Sequence, residues 1–352
     1  MTPLLRVTDL AVEFPVRSPI LRRRMGQIHA VRGVSFELHK GETLALVGES
    51  GSGKSTVARA IARLTTAAQG RLEFDGVDLL ELSGAELRRA RRNIQTIFQN
   101  PYSSLNRAWR VDDVIAEPLA AYGVGTVAER RDSVAALLAR VGLSPEMGRR
   151  RPAGLSGGQR QRVGIARAIA LRPQLVICDE ATSALDVSVQ AQILNLLVEL
   201  REEFALSYLF ITHDLGVVRR LAERVAVMHA GLIVETAPTR ALFGQALHPY
   251  SDALLAAAPN LVNVAGGGIS RTRVSGSPPS PLSTPPGCLF ADRCSYALPG
   301  CRERAPALAT QPDGRLVACH RVQNGIAKWR DSTPLRNLPA PTSLPALRTS
   351  RT

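Results

Sequence analysis

The chain has 352 residues, 45% hydrophobic and 21% charged. That is enough to bury one full-sized core with a small appendage, and it excludes the composition of a disordered chain. No run approaches the roughly 20 apolar residues of a membrane-spanning helix, and the N-terminus lacks the order of a secretory signal, so the expected location is intracellular. The net charge of +14 is almost all arginine, since Lys40, Lys54 and Lys328 are the only lysines. Arginines spread along the whole chain read as solvated faces and stems over apolar surface, with attraction to an acidic membrane surface as the alternative.

From residue 4 to about 255, apolar segments alternate between strand and helix periods, which predicts a layered α/β domain. Residues 43–47 read as a short buried strand. Val57, Ala60, Ile61 and Leu64 then fall at i, i+3, i+4 and i+7, predicting a one-sided helix, so the glycine-rich stretch between them joins strand to helix. Residues 99–171 are mainly helical in pattern and predict a helical subdomain.

Residues 175–178 form another buried run ending in acids. Val189, Ile193, Leu196, Leu197 and Leu200 mark an amphipathic helix, and 208–212 a strand that ends at His213. Residues 225–234, turning at Ala230-Gly231, predict a hairpin. The main domain is expected over 1–263, with a Gly/Ser/Pro linker at 264–287, a cysteine-bearing module at 288–330 and a disordered tail at 331–352.

Gly48-Glu49-Ser50-Gly51-Ser52-Gly53-Lys54-Ser55 satisfies the phosphate-loop pattern in its required strand-to-helix context. Its backbone N–H groups and the helix start would cradle the phosphates of ATP, with Lys54 near the β and γ phosphates, Ser55 ligating Mg²⁺, and Thr56 next in line. A merely flexible glycine turn has no reason to place Lys and Ser on the following helix. Asp179 and Glu180 emerge together at a strand end, where such sheets bind ligands. Asp179 would hold Mg²⁺ and Glu180 would polarise the attacking water of a phosphoryl transfer. Leu155-Ser156-Gly157-Gly158-Gln159 opens a further helix, with Ser156 as a plausible cap and exposed N–H groups at a positive helix end.

That last string, beside the phosphate loop and Asp179-Glu180, resembles the ATP-binding cassette (ABC) family over residues 4–255. The resemblance implies a P-loop NTPase with a RecA-like core, an antiparallel β subdomain and a helical subdomain. It implies a head-to-tail dimer in which Ser156, Gly157, Gly158 and Gln159 of one subunit face the nucleotide held by Lys54 of the other. Gln99 matches the glutamine that touches Mg²⁺ and water, Asp186 lies in the loop linking the two sites, and His213 matches the switch histidine at the γ-phosphate. Many cassettes stack an aromatic ring on the adenine. This chain offers Met25-Gly26-Gln27-Ile28-His29 instead, so Met25 or His29 is the expected cover, with Arg22-Arg23-Arg24 a solvated loop.

The stretch from Phe98 to Asn106, that from Ala184 to Gln192, and His248-Pro249-Tyr250-Ser251 resemble the oligopeptide and dipeptide (peptide/nickel) importer ATPases. The resemblance implies a second cassette, two membrane permeases and an external binding protein as partners, at the cytoplasmic face of the membrane. It implies peptides as the solute, with nickel or glutathione as alternatives and no nucleic acid. Phe14-Pro15-Val16-Arg17 and Asn100-Pro101-Tyr102 lean toward the F-type of the two paired ATPases, with a D-type partner. A soluble, non-transport cassette is the rival, but the chain shows one phosphate loop and no sustained heptads.

Five cysteines exclude a disulfide scaffold. Cys178 sits in an apolar strand as core. Cys288, Cys294, Cys301 and Cys319 are separated by five, six and seventeen residues, without a close C-x-x-C pair. Spacing leaves open a metal site or reduced thiols packing a small domain. The resemblance implies a four-iron, four-sulfur (4Fe-4S) cluster, with Zn²⁺ second and His320 a spare ligand.

Overall fold

The computed structural model describes residues 2–17, 24–183, 185–258 and 279–325. β1 (Leu5–Arg17) pairs antiparallel with β2 (Arg24–Leu38). The chain then enters β3 (Thr43–Val47), buried at every position, and turns into α1 (Lys54–Ile61). β4 (Gln69–Phe74) and β5 (Val77–Asp78) complete a four-stranded antiparallel sheet in the order β2-β1-β4-β5.

α1 stops short of the predicted stripe. Arg63 takes a left-handed backbone with φ 57°, which ends the helix, and Leu64 is left 57% exposed.

After α2 (Gly84–Arg92) and β6 (Ile94–Ile97), the chain is helical as expected, through α3 (Pro101–Ser104), α4 (Val111–Ala121), α5 (Val127–Arg140) and α6 (Gly157–Ile169). It re-enters the main sheet through β7 (Leu175–Asp179), α7 (Val187–Phe204), β8 (Ser207–Thr212) and α8 (Leu215–Leu221). The hairpin of β9 (Arg224–His229) and β10 (Leu232–Pro238) turns at Ala230-Gly231, and α9 (Thr239–Gly244) and α10 (Pro249–Ala257) follow.

The large sheet runs β11-β12-β10-β9-β3-β8-β7-β6, with its five strands from β9 to β6 parallel; β11 is Ala309–Thr310 and β12 Leu316–Val317. Its central strands are apolar throughout because both faces are covered. Alternate residues feed different cores. Val176, Cys178, Tyr208 and Phe210 join the cluster that includes α4 and α6 residues, while Leu175, Ile177, Leu209 and Ile211 join the one shared with α1 and the antiparallel sheet.

Much of the expected linker and all of the tail lie outside the described residues. Its last part is laid along β2: the His29 N–H donates to the Pro281 carbonyl (3.0 Å), and Arg32 Nη2 to the Ser283 carbonyl (2.7 Å). The cysteine-bearing segment continues the main sheet, since β12 pairs with β10 at Glu235↔Val317.

A candidate nucleotide site

The phosphate loop leaves the C-terminal end of β3. At Gly48 a Cβ would lie 2.1 Å from the Met228 carbonyl oxygen, and at Gly53, where φ is 103°, 2.3 Å from that of Ala30. Any side chain there would collide with backbone, so the loop is set against β9 and β2. Lys54, buried at the start of α1, donates from Nζ to the Gly48 and Glu49 carbonyls at 2.8 Å each and to Ser52 Oγ at 3.3 Å. Burial lowers its pKa, opposed by the charges of Glu180, Asp179 and Glu49. Ser50 and Gly51 are exposed at the loop's tip, and Thr56 is half-buried in α1.

Asp179 ends β7 and accepts the Ser55 hydroxyl at 2.8 Å. Burial raises its pKa, and that hydrogen bond pulls it back. Glu180 follows in a left-handed backbone with φ 47°, its N–H donating to Ile211 at 2.9 Å. Such a conformation costs on the order of 1–3 kcal/mol and persists only where surrounding structure fixes it. It aims the carboxylate at two predicted partners. Gln99 Nε2 donates to Glu180 Oε2 at 2.5 Å, and His213 Nδ1 lies 3.4 Å from Glu180 Oε1. Gln99, Glu180 and His213, brought from the ends of β6, β7 and β8, therefore meet.

Ser156 caps α6 in a reciprocal box: the Gln159 N–H donates to Ser156 Oγ (3.3 Å), and the Ser156 N–H to Gln159 Oε1 (3.0 Å). A Cβ on Gly158 would meet Val189 Cγ1 at 2.6 Å, so α6 and α7 touch there. A cleft of about 710 Å³ is lined by Gly157, Gln99, Glu180, Ser183, Leu185 and His213, among others, but by neither Lys54 nor Ser55. Ser55 and Asp179 thus form one pair and Gln99, Glu180 and His213 a second cluster, while Ser156 is occupied with its own helix. Asp186 sits at the N-cap of α7 without a side-chain capping bond.

For the base, His29 is taken up by Glu13 (Nδ1 to Oε1, 2.9 Å), and the side chain of Met25 lies outside the described residues, as do Arg22, Arg23 and the side chain of Arg24. Phe14 is marked by the sequence only as part of the F-type opening, not as a cover for the base. It is 40% exposed and pairs across strands with Ile28, two residues from the Ala30 carbonyl that abuts Gly53.

Cys288, Cys294, Cys301 and Cys319 line one small cavity, about 20 Å³, together with His248 and Phe290, room for about one water molecule. The Cys288 N–H donates to the Cys301 carbonyl at 2.7 Å. Burial pushes the Cys288 thiol up to about 11 and raises those of Cys294 and Cys319. Among the described residues no group of three or more His, Cys, Asp or Glu is placed to hold a metal ion. The expected metal cluster is therefore not formed by the cysteines as they are placed. His320 Nε2 lies 2.9 Å from the Arg304 carbonyl oxygen. Cys178 is core, as predicted.

Two family models match the chain: "ABC transporter" over residues 31–183 and "Oligopeptide/dipeptide transporter, C-terminal region" over 234–301. The chain is 47% identical over 320 residues to the oligopeptide transport ATP-binding protein AppF of Bacillus subtilis, covering 90% of this chain and 97% of that protein. It is 52% identical over 257 residues to the glutathione import ATP-binding protein GsiA of Pectobacterium atrosepticum, covering 73% of this chain and 41% of that one. Among solved structures, the dimeric ATP-binding cassette MJ0796, in a post-hydrolysis state with ADP and Pi, superposes with a TM-score of 0.60 at 28% identity, over 67% of this chain and 98% of that one.

Proposed function

Because the chain belongs to the ABC transporter family, in its oligopeptide and dipeptide branch, we propose that it is the ATP-hydrolysing subunit of a peptide importer. The observation that carries this reading is the convergence of Gln99 and His213 on the Glu180 carboxylate beside the Ser55–Asp179 pair.

Lys54 gives up its loop carbonyls for the β and γ phosphates, whose charge replaces theirs. Ser55 and Asp179, with Gln99, are the residues that would hold Mg²⁺, which when bound neutralises phosphate charge. Glu180 orients and polarises the water that attacks the γ-phosphorus as the bond to ADP breaks, with Gln99 and His213 fixing its carboxylate. Phe14 offers the base an apolar face.

Ser156 and Gly158 act on the nucleotide of a second cassette, so closure of the dimer and hydrolysis are linked. Two permeases and a D-type cassette are the proposed partners, placing the chain peripherally at the membrane. Among the described residues no helix is long and apolar enough to cross one. Glutathione is the alternative solute, favoured by the identity to GsiA.

Glu180→Gln is expected to leave ATP binding intact while lowering turnover by at least about 100-fold. Undiminished hydrolysis in that variant would remove Glu180 from the mechanism. Peptide uptake by membranes from which the tagged chain is isolated with its subunits tests the transport role.

The four cysteines are a second, separate site in this proposal. The reading of a 4Fe-4S cluster, or Zn²⁺, rests on the four cysteines lining one cavity. Anaerobically purified protein with no visible absorption and no bound metal would defeat this reading.

A further inference from the structure

The phosphate loop is gripped from outside by groups that phosphoryl transfer does not use. Arg293 comes from a turn between Cys288 and Cys294, and its side chain is only 7% exposed. It forms a fork on the carboxylate of Glu49, the second residue of the loop, with Nη1–Oε2 and Nη2–Oε1 both 2.8 Å. Paired parallel N–H···O contacts fix orientation as well as energy. The fork holds the Glu49 carboxylate below its ordinary pKa.

The same residue is held a second time, its N–H donating to Tyr250 Oη at 2.9 Å. The Tyr250 ring packs on His229 (centroids 4.4 Å apart) and on Phe290 (5.4 Å), which lies three residues before Arg293. The Arg293 N–H in turn donates to the Phe290 carbonyl at 3.0 Å. Glu49 O also accepts from Lys54 Nζ at 2.8 Å, so the orientation of this one residue bears on the lysine of the site.

We propose that Arg293 is a positioning residue for the nucleotide site: by clamping Glu49 it ties the cysteine-bearing segment to the phosphate loop and sets the loop's affinity for ATP. The proposal rests on the reading of this loop as the ATP site. Its consequence is that any rearrangement at the cysteine cavity that moves the 291–293 turn is felt as a change in ATP binding.

The test uses the full chain, with Mg²⁺ and a non-hydrolysable ATP analogue for binding and with ATP for turnover. Arg293→Ala and Glu49→Gln should each weaken binding by about tenfold, equivalent to about 1.4 kcal/mol, and Arg293→Ala should raise KM while leaving kcat at saturating ATP unchanged. The double variant should be no weaker than either single one, since both remove one interaction. Arg293→Lys should recover part of the loss.

Glu49 is on the open side of the pair, so Glu49→Gln remains informative even if Arg293→Ala unfolds. Unchanged binding in a folded Glu49→Gln, or losses that add in the double variant, would overturn the proposal. So would tighter binding in Glu49→Gln, since Arg293 would then be acting on the phosphates directly. Failure of the unsubstituted chain to bind the analogue would instead overturn the reading of the loop as an ATP site.

Discussion

The phosphate loop and the Ser156–Gln159 turn both open a helix, yet they are built in opposite ways. The first is held by distant residues: Met228 and Ala30 abut its glycines, Tyr250 takes a loop N–H, and Arg293 grips its carboxylate. The second closes on itself through the Ser156–Gln159 box. A site assembled from far-apart segments is exact only when the whole domain is folded. The self-capped turn draws its capping bonds from its own residues.

Three changes break or sharpen that contrast. The largest effect is expected for Lys54→Ala, which removes the buried charge the loop is wrapped around. ATP binding should weaken by about 100-fold or more, about 2.7 kcal/mol, as read by calorimetric titration.

Next comes acidification. Burial, then the Arg293 charge, push His229 down to about 4 while it packs against Tyr250. The unfolded chain takes up a proton below about 6.5 that the folded chain refuses, so stability is full above that pH and falls as pH drops toward 4. Between pH 6.5 and 5 the loss is about 2 kcal/mol, at about 1.36 kcal/mol per unit. Denaturant midpoints at pH 7 and 5 should separate the unsubstituted chain from His229→Gln, which lacks the titration.

The smallest effect is expected from Ser156→Ala. Losing the cap should cost about 1 kcal/mol of stability in thermal unfolding and leave ATP binding by the monomer unchanged. Hydrolysis should nevertheless drop, because the proposed dimer needs that hydroxyl. Unchanged hydrolysis would confine Ser156 to capping.

The same contrast governs what could be read from the sequence. Asp179, Gln99 and His213 could be grouped from the sequence because each stands at or just past the end of a strand whose apolar run is local, and parallel pairing brings those ends together, while Ser55 lies in the first turn of the helix after β3. The end of α1 was not legible, because Leu64 fits the apolar stripe and only the left-handed backbone of Arg63 removes it from the helix. The exposure of Phe14 was not legible because it depends on where the core stops, not on its neighbours in the chain. The Arg293–Glu49 fork was invisible for a related reason: charge pairing across 244 positions leaves no periodicity in the sequence.

That separation has a further meaning for a chain made one residue at a time. The phosphate loop is synthesised early, while its clamp and the strand Leu316–Val317 that extends the main sheet are among the last described parts to leave the ribosome. A nascent or prematurely ended chain would carry the lysine and the glycines without the grip on Glu49. On the proposal above, tight binding of ATP would then be acquired only after the turn that carries Arg293 has been made.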